Sequence, residues 1–290
     1  MADFSIRPIT SDDASAAWEV AHRSLRTAGT AYGWEMPELD DDTRDRGRRR
    51  VEHVLEHDPD GGFIAERDGG IVGVALATRR GPLWFLSLLA VDTQVQSQGI
   101  GRALLESTLQ TLGDAGGICA SDDPKALRRY RRAGFRLMPC YEAKGPLDRA
   151  LLPAITGVRT GSYSDDRSFI EEIAEKQRLA PHGPDLDFYA GLKRTLFVTD
   201  TAAGRGYVVC QGSGAALLAA TTQAAASKLL WTAIAEASDT TIDIGWFAHD
   251  QPWAIDVVLD ARLALRPSGS YCTSGAVGPM SPYIPNGAFG

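Results

Sequence analysis

The chain has 290 residues, 44% of them apolar and 23% charged, with a formal net charge of −7. This composition excludes a disordered, collagen-like or coiled-coil protein, and no run of about 18 or more uncharged apolar residues is present to span a membrane. Residues 1–150 carry 20 basic and 23 acidic side chains and residues 151–290 carry 10 and 14, so neither half has the basic surface that phosphate-driven nucleic-acid binding needs.

At roughly 100–200 residues per domain the length favours two domains. The N-terminal MADFSIRPITSDDASAAW has no basic segment and no apolar core, so it does not read as a secretory signal, and a cytoplasmic location is expected. Cys119, Cys140, Cys210 and Cys272 lack metal-ligand spacing and are expected to be reduced thiols packed as small hydrophobes, with no metal site. The mildly acidic balance is compatible with a cationic small substrate.

In chain order, Phe4 to Thr10 alternates as a strand does. Ser11 then reads as an N-cap, with Asp12 and Asp13 at the positive end of a helix that reaches about Ala28. TAGTAYGWEMPELDDD reads as a loop from its Gly, Pro and Asp content. A second helix spans about Asp42 to His57, and its RDRGRRR run reads as a solvated face. Strands are predicted at Gly62–Arg67, Ile71–Thr78 and Leu83–Val91, the last nearly all apolar, as a strand buried on both faces would be. An amphipathic helix from Ile100 to about Leu112 follows, then a short strand at Gly117–Ala120. Pro124 opens a helix that Gly134 closes, and Phe135–Lys144 is a strand.

After the Pro- and Gly-punctuated GPLDRALLPAITG, the order of elements restarts. Strands are predicted at Ile155–Thr160, Leu196–Asp200, Gly206–Gln211, Ala215–Thr221 and Thr241–Phe247. Helices are predicted from Asp165/Asp166 to Leu179, and at Asp185–Arg194, Gln223–Ala237 and Trp253–Leu265, before a Gly- and Pro-rich ending with short strand candidates.

Gln96-Ser97-Gln98-Gly99-Ile100-Gly101-Arg102 lies between a buried strand and an amphipathic helix. Glycine there allows close backbone approach, and the free N–H groups of a helix start favour an anion such as pyrophosphate. Taken alone, the turn is equally compatible with tight packing of strand on helix.

Together, LLAVDTQVQSQGIGRALL and the later ALRRYRRAGF resemble the GCN5-related N-acetyltransferase (GNAT) superfamily over residues 3–145. The resemblance implies acetyl-CoA as co-substrate, with its pyrophosphate on Gln96, Gly99 and Gly101. Ser97, Gln98, Ile100 and Arg102 would lend further contacts. Leu89, Ala90 and Val91 would pair with the pantetheine arm, and Tyr130 would protonate the departing thiolate. Asp123 stands where the family often has Asn, and an ionised carboxylate cannot donate a hydrogen bond. The position of the family's glutamate base is Phe85, and Ser87 is the one polar side chain between Leu83 and Val91. A base is then expected from elsewhere or is not needed: a water chain could take the proton, or Glu35 or Glu38 in the loop after the first helix, which the resemblance places beside the acceptor, with Tyr32 and Trp34 covering it.

The second half resembles the degenerate C-terminal domain of tandem members of this superfamily. Its counterpart of the glycine turn, Ala220 to Ala226, has no glycine, so no acetyl-CoA is expected there. Its expected role is scaffold; the sharper alternative has Trp246, Trp253, Tyr283 or Phe289 reaching the acceptor cleft. The implied fold class is α/β: two tandem acyl-CoA N-acyltransferase-like domains, each a mixed, mostly antiparallel twisted sheet flanked by helices. The divisions are a catalytic domain at residues 1–147, a linker at 148–156 and a degenerate domain at 157–290. The implied activity is direct acetyl transfer from acetyl-CoA to a primary amine of a small molecule or peptide. A module that binds acetyl-CoA without turnover is the alternative.

Overall fold

A computed structural model describes residues 3–33, 36–248 and 250–290. The elements of the first half are β1 (Ser5–Pro8), α1 (Ala14–Tyr32), α2 (Asp41–His57), β2 (Gly62–Arg67), β3 (Gly70–Arg80), β4 (Leu83–Val91), α3 (Ile100–Thr108), β5 (Ala115–Ala120), α4 (Pro124–Arg132) and β6 (Arg136–Pro146). The second half contributes β7 (Val158–Thr160), α5 (Arg167–Arg178), α6 (Asp185–Gly191), β8 (Leu196–Thr201), β9 (Gly204–Gln211) and β10 (Gly214–Ala220). It ends with α7 (Gln223–Ala235), β11 (Thr241–Ala248), α8 (Pro252–Asp260), β12 (Ala264–Gly275) and β13 (Tyr283–Ile284).

Several boundaries differ from the sequence pattern, and three of them have a reason visible in the structure. The first helix is entered through Thr10 rather than Ser11. The Asp13 carboxylate accepts from the Thr10 N–H at 2.8 Å and from its hydroxyl at 2.7 Å. Helix α1 runs on through part of the expected loop to Tyr32, because Thr27 and Thr30 return their hydroxyls to the carbonyls of Arg23 and Arg26 instead of breaking the turn. Helix α8 stops at Asp260, and the stretch read as its end and as a Gly- and Pro-rich tail forms the 12-residue strand β12. A register shift between Pro267 and Ser270 takes up the Pro and Gly that look like breakers.

The architecture is α/β with mostly antiparallel sheets. One sheet has eight strands in the order β1-β2-β3-β4-β5-β12-β6-β11, and the other has five, β13-β10-β9-β8-β7. The sheets do not divide at the linker. Strand β12, from the second half, lies between β5 and β6 and pairs antiparallel with both, and β11 extends the same sheet along β6. The buried core is likewise shared. Trp18, Val51, Ile64 and Leu76 pack in one cluster with Ile170, Leu186, Tyr207 and Phe289.

Two buried polar groups stitch this shared core. The Asp185 carboxylate of α6 is fully buried and accepts from Arg80 Nη2 of β3 at 2.6 Å, while His53 Nε2 of α2 stands 2.9 Å from it. Arg80 also pairs with Asp58 at 2.8 Å, so the guanidinium is matched on both sides. Breaking such a buried pair typically costs about 3–5 kcal/mol, because one charge is left without a partner.

His182 is the second. Arg178 can only donate, and its Nη1 lies 2.7 Å from His182 Nδ1. The ring proton therefore sits on Nε2 and points to the Tyr207 hydroxyl at 2.6 Å. Burial, aided by the charges of Arg178 and Arg80, holds His182 well below the usual 6.5. In the unfolded chain the ring gains a proton below about pH 6.5, and in the folded chain it does not, so unfolding is favoured as pH falls. The unfolding free energy from urea titrations between pH 7 and 5 should therefore decline by up to about 1.4 kcal/mol per pH unit from this group. His182→Gln should flatten that decline, and equal slopes in both proteins would contradict the assignment.

Candidate functional site

The site begins where the large sheet opens. Strands β4 and β5 are parallel neighbours over only three pairs, Leu83↔Ala115, Trp84↔Gly116 and Phe85↔Gly117. Beyond Phe85 they part, while β4 stays paired with β3 as far as Val91. A bulge marks the parting. Leu76 faces Leu88 and Ala77 faces Leu86, so Ser87 is the extra residue. The outer edge of Leu89, Ala90 and Val91 borders a cleft of about 1620 Å³.

The glycine turn stands at the end of this edge. Ser97 (φ +66°) and Gly99 (φ +92°) are both left-handed, and Gly99 is the N-cap of α3 with no side chain to cap it. Non-glycine residues in this region are strained by about 1–3 kcal/mol and cluster at ligand clamps. Arg102 and Ala103 donate to the Gly99 carbonyl at 3.0 Å, and the preceding N–H groups have no carbonyl within the helix to meet. Alternation of such turns makes a concave set of N–H donors suited to an anion. The Arg129 guanidinium lies over Gly101, 3.0 Å from where a Cβ would stand. Opposite Gln96, Lys125 Nζ reaches Oε1 at 3.3 Å, while Gln96 Nε2 donates to the Val91 carbonyl at 3.2 Å.

The fold brings Leu89, Ala90, Val91, Gln96, Ser97, Gly99, Ile100, Gly101, Arg102, Asp123 and Tyr130 to this one cleft. Gln98 turns away to Arg67 at 2.8 Å and does not line it. Asp123 caps α4, its Oδ1 accepting from the Lys125 N–H at 2.8 Å and from the Tyr32 hydroxyl at 3.2 Å. Tyr32 thus closes on α4 without lining the cleft. Trp34 and Glu35 lie outside the described residues. Glu38 is engaged by Arg26, which holds its carboxyl below the usual range, and it lies away from the cleft.

Tyr130 is 5% exposed and packs with Trp84, Leu105, Ile118 and Phe135. Burial pushes its phenol up, so the hydroxyl keeps its proton at neutral pH. Burial likewise raises the thiols that line the cleft, Cys119 well above its usual value and Cys210 to about 12. Phe85 is buried against Cys140 and Tyr271, so a carboxylate there would be unsolvated rather than poised.

The second half closes the cleft. Of the four aromatics considered, Trp246 lines it, whereas Trp253, Tyr283 and Phe289 are buried. The N-terminus of α7, the counterpart of the glycine turn, is capped by its own chain, with the Thr222 hydroxyl accepting from the Ala225 N–H at 3.1 Å. Lining residues that pattern alone does not single out are Arg46, Arg50 and Arg194. The RDRGRRR run is not one solvated face. Arg48 pairs outward with Asp45 at 2.6 Å and Glu52 at 2.5 Å, while Arg46 and Arg50 line the cleft. The signal was present: Arg50 is three residues after Gly47 and four before Val54, both buried against the core.

Residues 20–135 match the model of the Acetyltransferase (GNAT) family. Among solved structures, a candidate acetyltransferase from Pyrococcus horikoshii aligns over 100% of this chain and 97% of its own, with TM-score 0.78 and 18% identity. A GCN5-related N-acetyltransferase from Kribbella flavida aligns over 93% and 71%, with TM-score 0.59 and 12% identity. A tandem GNAT protein from the clavulanic acid biosynthesis pathway aligns over 93% and 98%, with TM-score 0.59 and 14% identity. At these identities the likeness is one of fold. No curated protein matches the sequence. No helix among the described residues is long and apolar enough to cross a membrane, and no group of three or more His, Cys, Asp or Glu there could hold a metal ion.

Proposed function

We propose that this chain, whose residues 20–135 carry the Acetyltransferase (GNAT) family signature, transfers the acetyl group of acetyl-CoA directly to a primary amine. The observation that carries the reading is the coincidence, in one cleft, of an uncapped glycine-started helix, a strand edge freed by the β4/β5 parting, and a protonated tyrosine. Pyrophosphate would sit on the N–H groups at the start of α3, and the pantetheine arm would run along Leu89 to Val91. The amine nitrogen attacks the thioester carbonyl carbon, the C–S bond breaks, and the departing thiolate takes a proton from Tyr130. A backbone N–H near Val91 would steady the developing oxyanion. The proton lost by the amine passes to solvent or to Glu35.

Direct transfer is favoured over an acyl-enzyme because burial holds the cleft thiols protonated, and the thiolate is the nucleophile such an intermediate needs. The half without an open glycine turn, residues 157–290, would bind no acetyl-CoA and serve as one wall of the acceptor space. Calorimetry with acetyl-CoA, followed by thiol release on a panel of amines, tests the reading. One acetyl-CoA per chain and amine-dependent release are expected. Binding without release on any amine would support the non-catalytic module instead, and absence of binding would overturn both.

A further inference from the structure

The chain is acidic as a whole, and Glu142, Glu236, Asp239 and Asp243 also line the cleft, yet one wall carries arginines that no carboxylate among the described residues pairs with. Arg46 and Arg50 stand one turn apart on α2, and Arg194 follows α6; all three line the cleft. Their partners are neutral. Arg46 donates to the Thr43 hydroxyl at 2.9 Å, and Arg194 donates to the Gln211 amide oxygen at 2.9 Å. Arg50 donates to the Ser87 carbonyl and, at 3.0 Å, to its hydroxyl. Among the described residues no carboxylate pairs with any of the three, while Arg44 and Arg48 of the same helix are each doubly paired. Burial lowers Arg50 to about 10 and also lowers Arg194. The groups that Arg194 feels are Tyr189, Tyr163, Cys210 and the like-charged Arg46.

Unpaired guanidinium groups in a partly enclosed space are unfavourable until an anion meets them. Their planar donor pairs fit the oxygens of a carboxylate or phosphate. The cofactor's diphosphate is not the natural guest. Arg50 touches β4 at Ser87, four residues or about 13 Å before Val91, and the glycine turn lies beyond Val91 in the other direction. Arg50 therefore stands past the thioester end of the cofactor path, where the acceptor must enter.

Resting on the acetyl-transfer reading, we infer that the acceptor is an amine that also carries an oxyanion, a carboxylate or a phosphate, held by Arg50 and Arg194 with Arg46 at the rim. The test uses matched amines on the full chain with acetyl-CoA: phenylalanine against phenethylamine, phosphoethanolamine against ethanolamine, and spermidine as the cationic arm. In at least one matched pair the anionic member should have the higher kcat/KM by tenfold or more, and which pair does so separates carboxylate from phosphate. Arg50→Gln and, independently, Arg194→Gln should each raise KM for that amine about 10- to 100-fold, with KM for acetyl-CoA reporting that the cofactor side is intact. Preference for neutral amines or spermidine, an undiminished preference in both variants, or a rise in KM for acetyl-CoA in place of the amine would each overturn the inference. If no amine releases thiol, the functional reading fails. The inference is then decided by calorimetric binding of phenylalanine and phosphoethanolamine: binding weakened by either variant supports it, and no binding overturns it.

Discussion

Gly99→Glu is expected to weaken acetyl-CoA binding about a thousandfold. Three effects add at one position. The backbone there is left-handed at φ +92°, a region that disfavours an L side chain by about 1–2 kcal/mol. Any relaxation of that angle rotates the N–H groups at the start of α3 away from a common focus, and charge-assisted hydrogen bonds of this kind are worth about 1.5–3 kcal/mol each. The new carboxylate would also compete for the positive end of the helix, which would otherwise receive the diphosphate. No atom lies within 4 Å of the position a Cβ would take, so the substitution is accommodated without a clash. Calorimetry with acetyl-CoA reads the loss, and a cooperative thermal unfolding lowered by no more than the several degrees this strain implies shows that the fold survives. Binding within a factor of ten of the parent would remove the turn from the cofactor site.

Tyr130→Phe is expected to lower kcat by about 10²–10⁴, the range a positioned general acid contributes. The ring remains in its cluster with Trp84, Leu105, Ile118 and Phe135, so packing is preserved and one oxygen is lost. A structural role would move stability and leave turnover alone. A proton-donating role moves kcat and kcat/KM together, with little change in the affinity for acetyl-CoA. Because burial raises the phenol, its contribution should persist through the alkaline range where an ordinary tyrosine near 10 begins to ionise. A variant whose thiol-release rate stays within a factor of three of the parent would exclude Tyr130 as the acid.

Much of the first half was legible residue by residue. Strands β2 and β4 occupy the spans predicted from their apolar patterning, and Pro124 and Gly134 bracket α4 as their backbone preferences require. The glycine turn was legible because its physics is local: a strand, two small residues and a helix start lie within a dozen positions. Helix α1 outruns its expected end through hydrogen bonds made by Thr27 and Thr30, which composition reads as breakers.

Arg50 shows where the pattern loses its grip. An arginine in a run of arginines reads as solvated, because the chain alone does not say which members find a carboxylate. Arg48 finds two within one helical turn, and Arg50, two positions on, meets only Ser87, a residue 37 positions away. Cleft-lining positions of the second half, such as Trp246 and Arg194, are separated from the glycine turn by more than 90 residues and carry no local sign of facing it.

The sequence by itself determined the order of elements, the anion-ready start of α3 and the tyrosine on α4, since each depends on periodicity or backbone freedom over short spans. Only the tertiary structure decided that β12 would enter between β5 and β6, that both halves would share one sheet and one core, and that a cationic wall would face the parted strands. Those are contacts between residues distant in the chain. They are selected by complementary edges and buried area rather than by any local pattern, and they set which side chains line the cleft.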